Sequence, residues 1–326
     1  MSVRHVFALV LWALATAPFP AAGSAAEILT TPVRTLERPE GDVGAVAFTA
    51  DGKHVCAGGE RGVVYCWDAN TGEIVNRVTA HLRAAVFAVV TYPLSPFAVH
   101  ASELGIKFHL VGGHGRIPSF PFKHLQTVLT LDFSKDGNHM ASADRGGEII
   151  VWDLWTGEPY RRFQAGKAAV NSVCYHPDGN RIAAASDDGK LRVWDTKADK
   201  LLFEQQAHAG PAFSVAFSRD GKRLATAGKD RKVKLWDAGS GKPGDVLDGH
   251  EDAVNVALFH PQVASLLVSA GDDKTVRLWG ISEEKLLQTL RHDKPVYALA
   301  WRSDGGMLAV ASGGQVRLLA VKGELR

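Results

Sequence analysis

Residues 250–280 read HEDAVNVALFHPQVASLLVSAGDDKTVRLWG, and this stretch decides the fold. It holds three short apolar runs, Val254–Phe259, 266–270 and 276–280, with turn-forming residues between them. Short runs rich in Val, Leu and Ala that are bounded by Gly, Pro and Asp are typical of β strands. The stretch therefore predicts a small antiparallel sheet, and the same pattern returns along the chain.

Tryptophan marks the repeat. Trp67, Trp152, Trp194, Trp236 and Trp279 each follow an alternating apolar run, at spacings of 85, 42, 42 and 43 residues. The first spacing is two periods, so we place a copy without Trp at 106–110, with Leu110 in the Trp position. A last copy lies at 316–320. Seven copies of about 42 residues need about 294 residues, which matches the 300 that follow residue 26.

Three other residue types repeat in phase with Trp: a His 28 or 29 residues before it, a Ser or Thr ten before it and an Asp six before it. Two copies fill all four positions: His208, Thr226, Asp230 and Trp236, and His250, Ser269, Asp273 and Trp279. Two further copies are incomplete. One has His124, Ser142 and Trp152 but no Asp in register, although Asp144 is near. The other has Asp188 and Trp194, with Lys167 in place of the His and Ala184 in place of the Ser. His81 and His292 begin the two copies that have lost Trp.

These residues resemble the WD-repeat family over residues 33–326. The resemblance implies a β-propeller in which His, Ser or Thr, Asp and Trp of one blade form a hydrogen-bonded relay, to which we also assign Trp67. A buried indole N–H needs an acceptor, and the hydroxyl, imidazole and carboxylate satisfy one another in series. A set that recurs in several blades is structural, whereas a hydrolase has one catalytic triad.

The sequence therefore predicts an all-β, seven-bladed propeller of four-stranded blades. We place the blades near 41–80, 81–122, 123–166, 167–207, 208–249, 250–291 and 292–326. The last copy ends directly after its Trp position, so its fourth strand is missing at the C-terminus. Residues 33–37 resemble the strand at 286–290, and we expect them to complete the last blade and close the ring. Blade 2 departs most from the pattern. Either it has diverged by drift or it carries a surface under functional selection, and drift is the simpler explanation.

The first 26 residues resemble a secretory signal peptide. Arg4 and His5 precede an apolar segment at 6–17, and small residues follow at 21–26. We expect cleavage after Ala26 and an extracytoplasmic, most simply periplasmic, mature protein without a membrane span. The alternatives are an uncleaved leader and a wrongly assigned start codon.

Composition argues against nucleic acid as a partner. Lys plus Arg number 37 and Asp plus Glu 35, a net charge of +2, which gives no strong positive field. We find no metal, phosphate or haem motif and expect no cofactor. The sequence favours a non-catalytic scaffold that binds proteins or peptides, as a monomeric propeller within a complex. The alternative is an enzyme or small-ligand binder that uses the central channel.

By resemblance to the family, partners dock on the face that carries the relay His and Asp. Two sets of positions are expected near its rim: the residue after the first apolar position of the first strand, and the residue before the relay Asp. They are Leu129, Asn171, Phe213, Asn255 and Tyr297, and then Asp187, Lys229 and Asp272. Aromatic side chains carry much of the energy of protein interfaces, so Phe213 and Tyr297 are the main candidates. Ordinary packing between blades is the alternative for both.

Cys56 and Cys66 lie at equal distances from Arg61 in a predicted hairpin, so they face each other across two strands. Opposed strand residues lie within disulfide range, and an oxidising compartment would permit the bond. Ala183 and Val193 hold the same positions in another blade, so two unbonded core thiols are the alternative, and the sequence favours it. Cys174 has no evident partner and is expected to be a free buried thiol.

Overall fold

A computed structural model describes residues 29–37, 41–79, 84–94, 97–103, 105–111, 124–282 and 285–321. The predicted leader at 1–26 and the predicted blade-start residue His81 lie outside these ranges. The described part of the chain contains only β strands and no helix that could cross a membrane.

The strands follow one another as antiparallel neighbours, and we name those of each blade a, b, c and d in chain order. Before the first blade comes β1, Leu29–Glu37. Blade 1 contains β2 Val43–Phe48, β3 His54–Gly59, β4 Val63–Asp68 and β5 Ile74–Thr79. Blade 2 contains β6 Val86–Thr91, β7 Phe97–Ser102 and β8 Gly105–Leu110. Blade 3 contains β9 Val128–Phe133, β10 His139–Asp144, β11 Glu148–Asp153 and β12 Pro159–Gln164. Blades 4 and 5 contain β13 Val170–Tyr175, β14 Arg181–Ser186, β15 Lys190–Asp195 and β16 Lys200–Gln206; β17 Ala212–Phe217, β18 Arg223–Gly228, β19 Val233–Asp237 and β20 Pro243–Leu247. Blades 6 and 7 contain β21 Val254–Phe259, β22 Leu266–Gly271, β23 Thr275–Gly280 and β24 Lys285–Arg291; β25 Val296–Trp301, β26 Met307–Ser312 and β27 Gln315–Val321.

The N-terminal strand closes the ring, as the sequence predicts. Strand β1 pairs antiparallel with β27, from Leu29 opposite Val321 to Glu37 opposite Gln315, and so supplies strand d of blade 7. The Gln288 side chain of blade 6 accepts the Leu29 N–H (2.9 Å) and donates to the Leu29 carbonyl (2.7 Å). The N-terminal strand and the last three strands of the chain therefore form one sheet, blade 7, and the prediction of a closed seven-bladed propeller is confirmed.

Burial explains why the blades need one another. Strand a is buried along its whole length in blades 1 to 6, strand b nearly so, and strand d is largely exposed. Each strand a contacts strand a of the next blade, and β25 of blade 7 contacts β2 of blade 1, so the contacts form a closed circle. A single sheet with two apolar faces is stable only between two neighbours, and the ring supplies both for every blade.

Every strand a carries a β-bulge at its second residue. The register shifts there in all seven pairings of strand a with strand b that the structure describes. A bulge bends the strand and re-aims the extra side chain. We call these seven residues the bulge ring: Gly44, Phe87, Leu129, Asn171, Phe213, Asn255 and Tyr297.

Side chains at the ends of certain strands a join neighbouring blades. His176 Nε2 bonds with the Gly221 carbonyl of the next blade (2.9 Å), and His260 Nε2 bonds with Gly305 in the same way (3.2 Å). Tyr92 likewise donates to the Gly137 carbonyl (3.1 Å). At Gly221, φ is +69°, and a Cβ there would collide with the His176 ring. Glycine is therefore required by both its conformation and the close approach of the ring.

Blade 1 contains the cysteine pair. Cys56 in β3 lies opposite Cys66 in β4, and the structure joins them in a disulfide with Cα atoms 4.1 Å apart. Both are buried. The sequence favoured two unbonded thiols instead, because Ala183 and Val193 fill the equivalent core positions of another blade without any bond. The structure corrects that preference. Cys174 is a free buried thiol.

Candidate functional site

In three blades the relay residues form one continuous hydrogen-bonded chain. In blade 6, His250 Nδ1 donates to Asp273 (2.7 Å), Ser269 donates to His250 Nε2 (2.8 Å), and the Trp279 indole donates to Ser269 Oγ (2.8 Å). These directions follow because an ionised carboxylate only accepts and an indole only donates. Blade 5 repeats the arrangement with contacts of 2.7 to 3.0 Å through His208, Thr226, Asp230 and Trp236.

Blade 3 has a complete relay, in which Asp144, near but out of register in the sequence, serves as the relay Asp. His124 Nδ1 bonds with Asp144 (3.0 Å), His124 Nε2 with Ser142 (2.7 Å), and the Trp152 indole donates to Ser142 (2.7 Å). Asp144 lies two residues after Ser142 on strand β10. Alternate residues of a strand share one face, so both side chains reach the same imidazole.

Blades 1 and 4 lack the relay. Trp67 and Trp194 are buried, but Ala57 and Ala184 stand where the other blades have Ser or Thr. Asp188 instead pairs with Arg192 Nη2 at 2.6 Å. The assignment of Trp67, Asp188 and Trp194 to a relay was therefore wrong, because the linking hydroxyl is missing in both blades.

Blade 2 replaces two relay residues by histidines. His109 lies opposite Ala98, as Trp152 lies opposite Met140, so His109 and not Leu110 holds the Trp position. The prediction of Leu110 was wrong by one residue because the turn between strands b and c is shorter here. His100 holds the hydroxyl position, and its ring stacks on His109 with the two nitrogens 2.8 Å apart.

The relay residues cannot act as a hydrolase triad. Ser142, Thr226 and Ser269 have no solvent exposure, and each accepts an indole N–H. A nucleophile must reach its substrate, so these hydroxyls are structural. Burial alone would raise the pKa of Asp273, but the hydrogen bond from His250 lowers it to about 2. The carboxylate is therefore ionised and holds the imidazole in place.

The same blade-3 residues form a candidate cation cluster. Ligand atoms of His124, Asp144 and Glu148 lie within 4.8 Å of one another. Both His124 nitrogens already bond within the relay, and Glu148 forms an ion pair with Arg162. The cluster is therefore an extension of the relay, and the atoms that could bind a cation already form hydrogen bonds or an ion pair.

The predicted docking residues lie at one end of the propeller, where the loops from d to a and the turns from b to c meet; we call this end the relay face. Leu129, Asn171 and Asn255 are buried and Phe213 is only 3% exposed, whereas Tyr297 is half-buried. Phe213 therefore packs within the ring, the alternative that the sequence left open. Asp187 and Lys229 are exposed, and Asp272 is half-buried.

Two pairs of predicted docking residues bond with each other. Asn171 Nδ2 donates to Asp187 (2.7 Å) and to the Ala212 carbonyl of the next blade (3.0 Å). Asn255 does the same with Asp272 (2.9 Å) and the carbonyl of Val296 (3.0 Å). The two Asn side chains thus fix the relay face across the boundaries of blades 4–5 and 6–7.

Three residues of this face were missed. Gly44 and Phe87 complete the bulge ring, and the repeat period of about 42 residues locates both. Leu125, directly after the relay His124, is 94% exposed. The sequence marks its position next to the relay His, but exposure follows from the loop conformation.

Family comparison agrees with this geometry. The profile of the WD domain, G-beta repeat family (WD40) matches residues 30–68, 118–153, 157–195, 199–237, 241–280 and 284–318, which leaves blade 2 unmatched. Coronin-7 of Rattus norvegicus is 36% identical over 78 residues, 23% of this chain and 8% of coronin-7. Periodic tryptophan protein 2 of Arabidopsis thaliana is 41% identical over 71 residues, 22% of this chain and 8% of that protein.

A longer match, to meiotic fizzy-related protein 1 of Schizosaccharomyces pombe, has 23% identity over 135 residues, 41% of this chain and 32% of that protein. The chain thus spans about a third or less of the length of these relatives. The matched repeats cover well over half of the chain. This protein belongs to the WD40 repeat family.

Proposed function

We propose that this protein is an exported, non-catalytic scaffold that binds a partner protein or peptide on the relay face. The observation that supports this most is that accessible apolar, aromatic and charged side chains meet at this one end of the propeller: Leu125, Asp187, Lys229 and the half-buried Tyr297. WD40 propellers typically act as interaction scaffolds. Short loops on a rigid ring supply a surface that can be varied without loss of the fold.

The part of this face at blades 2 and 3 fits an apolar contact. Ala85, Phe87 and Leu129 form a small cluster separate from the main core. The exposed Arg145 covers it, with its guanidinium carbon 5.9 Å from the Phe87 ring centre. Leu125, four residues before Leu129 in the chain, is almost fully exposed. A partner side chain that displaces Arg145 would bury apolar surface at little cost to the fold.

The face is also rigid where it is polar. The Asn171 and Asn255 clamps hold Asp187 and Asp272 in place, so a partner would meet carboxylates that are already ordered. Pre-ordered groups lose less conformational entropy on binding. Lys229 is exposed between these two blades and adds a positive group to the rim.

Two features support export. The leader at 1–26 has the order of a signal peptide, and the Cys56–Cys66 disulfide suits an oxidising compartment. N-terminal sequencing of protein from the exported fraction should give a start near Glu27. An intact Met1 in that fraction would contradict cleavage.

Photo-crosslinking tests the docking face. A photoreactive amino acid replaces Leu125 or Tyr297 on the relay face, and the control replaces Trp155, which is 95% exposed in the c–d turn at the other end of blade 3. We expect the first two to crosslink to one partner and the third to give none of that product. Crosslinks from Trp155 alone would move the site to the opposite face.

A further inference from the structure

Blade 7 keeps the relay His but lacks the residues that bond with it in other blades. His292 precedes strand a by four residues, as do His124, His208 and His250. The other partners are absent: Val310 holds the hydroxyl position, Leu319 the Trp position, and Gly313 and Gly314 form the turn that carries the Asp in blades 5 and 6. His292 is 9% exposed, and its Nδ1 is enclosed with no hydrogen-bond partner among the described residues.

That nitrogen is the atom that binds a carboxylate elsewhere. In the three complete relays the His Nδ1 contacts an Asp oxygen at 2.7 to 3.0 Å. A buried polar nitrogen without a hydrogen-bond partner is costly, on the scale of a lost hydrogen bond, and the imidazole can place its proton on Nδ1 when an acceptor is offered there. The vacant position therefore favours an acceptor, and the relay geometry indicates a carboxylate.

Blade 7 also keeps the cation that accompanies this carboxylate. Arg317 occupies the strand-c position of Arg277 and Lys234, which lie 3.7 and 3.8 Å from the relay Asp of their own blades. Arg317 is now paired with Asp293 (3.0 Å), whose side chain is 87% exposed. Exposed pairs contribute little, so Arg317 can exchange this partner for another carboxylate.

A groove lies next to His292: the two residues that follow it, Asp293 and Lys294, line the groove, although His292 itself does not. It measures about 430 Å³ and is lined by Asp293, Ser312, Gly313, Lys294 and Arg317, together with Glu37 and Asp42. Ser312 holds the position of Asp144 in blade 3, twenty residues after the His in both blades. The groove therefore opens beside the position where a relay carboxylate would lie.

We infer that the groove between blades 7 and 1 binds a single carboxylate, which completes the relay through His292 Nδ1 and Arg317. Glu37, Asp42 and Asp293 line the same groove and repel any anion, a dianion such as phosphate more strongly than a single carboxylate, so the attraction must come from His292 Nδ1, Arg317 and Lys294. The inference deepens the proposed function and rests on it for the source of the carboxylate. A partner supplies either an acidic side chain or a C-terminus, and a free small carboxylate has the same chemistry.

The test follows the His292 imidazole by NMR during titration of the full mature protein. The probes are acetate, N-acetylglutamate amide for a side chain and N-acetylalanine for a C-terminus. N-acetylglutamine amide is the neutral control. We expect every carboxylate to shift the His292 signals and to raise the pKa of the imidazole, and the amide to do neither. The carboxylate probe with the lowest dissociation constant shows whether the natural carboxylate is a side chain, a C-terminus or a small molecule.

Two variants and a control separate binding from a merely structural role. Ser312→Asp places a carboxylate where blade 3 has Asp144, so it should shift His292 without any probe and weaken probe binding at least tenfold. His292→Phe should weaken it by a similar factor, whereas the control Trp155→Ala, an exposed residue at the other end of blade 3, should leave it within threefold.

Unchanged His292 signals in the wild type with every carboxylate would overturn the inference, even where a partner still crosslinks to the relay face. Conversely, carboxylate binding without any relay-face crosslink would leave the inference standing and remove the proposed function.

Discussion

At the scale of single residues, the relay links the strands within blades 3, 5 and 6, so its loss should lower stability. Trp279→Ala removes a buried aromatic side chain and should cost about 3–5 kcal/mol. Asp273→Ala leaves His250 Nδ1 without its acceptor and should cost about 1–3 kcal/mol. Chemical denaturation measures both. Trp155→Ala is the matched control, because its side chain is exposed and its loss should change stability by less than about 0.5 kcal/mol.

Buried titratable residues set the dependence of stability on pH. Burial lowers the pKa of His260 and His292 from 6.5 to about 4. The unfolded chain therefore binds more protons between these values, and stability should fall as pH falls from 6.5 to about 4. Asp230 and Asp273 have pKa values of about 2 against 3.8 unfolded. Their contribution is present above 3.8 and should be lost between 3.8 and about 2.

Denaturation midpoints across this range test the assignment. His260→Gln should flatten the upper part of the profile, and Asp273→Asn the lower part. A profile of the His260 variant that matches the wild type between pH 6.5 and 4 would contradict the first assignment.

The sequence located most relay residues because each has a nearly fixed offset from Trp within one repeat: the His before strand a, and the hydroxyl, Asp and Trp in the hairpin of strands b and c. It failed where that offset changed. His109 was missed because a shorter turn moved it by one residue. Asp144 was noted as near but not assigned to the relay, because it uses a second position on the same face of the strand. The burial of Phe213 depends on how the next blade packs against its bulge, which no local pattern records.

At the scale of the elements, the disulfide joins strands b and c of blade 1. Cys56 and Cys66 are 10 residues apart, so the bond closes a small loop and should stabilise by about 2–3 kcal/mol. Cys56→Ala with Cys66→Val should lower stability by that amount. Thiol titration of the denatured, unreduced wild type should find one reactive group, Cys174, and three would disprove the bond.

The contacts between blades can be measured through two glycines in the same turn of adjacent blades. Gly221 has φ +69° and lies under the His176 ring, while Gly179 has φ +75° and nothing within 4 Å of an added Cβ. Gly179→Ala should cost about 1–2 kcal/mol for conformation alone, and Gly221→Ala about 2–4 kcal/mol because the ring must also move. Equal losses in thermal melts would show that the His176 contact contributes nothing.

At the scale of the whole molecule, repetition made the fold predictable. The Trp period predicted seven blades, and the missing last strand predicted closure by the N-terminal segment, which β1 confirms. The contacts that link blades were not predictable in this way. They join residues about 45 positions apart, such as His260 and Gly305, whose proximity follows only from the ring.

The central claim is that the relay face, and not the opposite face, is the docking surface. The most direct test is the dissociation constant of the crosslinked partner, measured by calorimetry for the wild type, Leu125→Ala with Tyr297→Ala, and Trp155→Ala. We predict at least tenfold weaker binding for the double variant with an unchanged melting temperature, as expected for interface anchors that are not core residues. We predict no change for Trp155→Ala. Full affinity in the double variant, or a loss with Trp155→Ala, would contradict the claim.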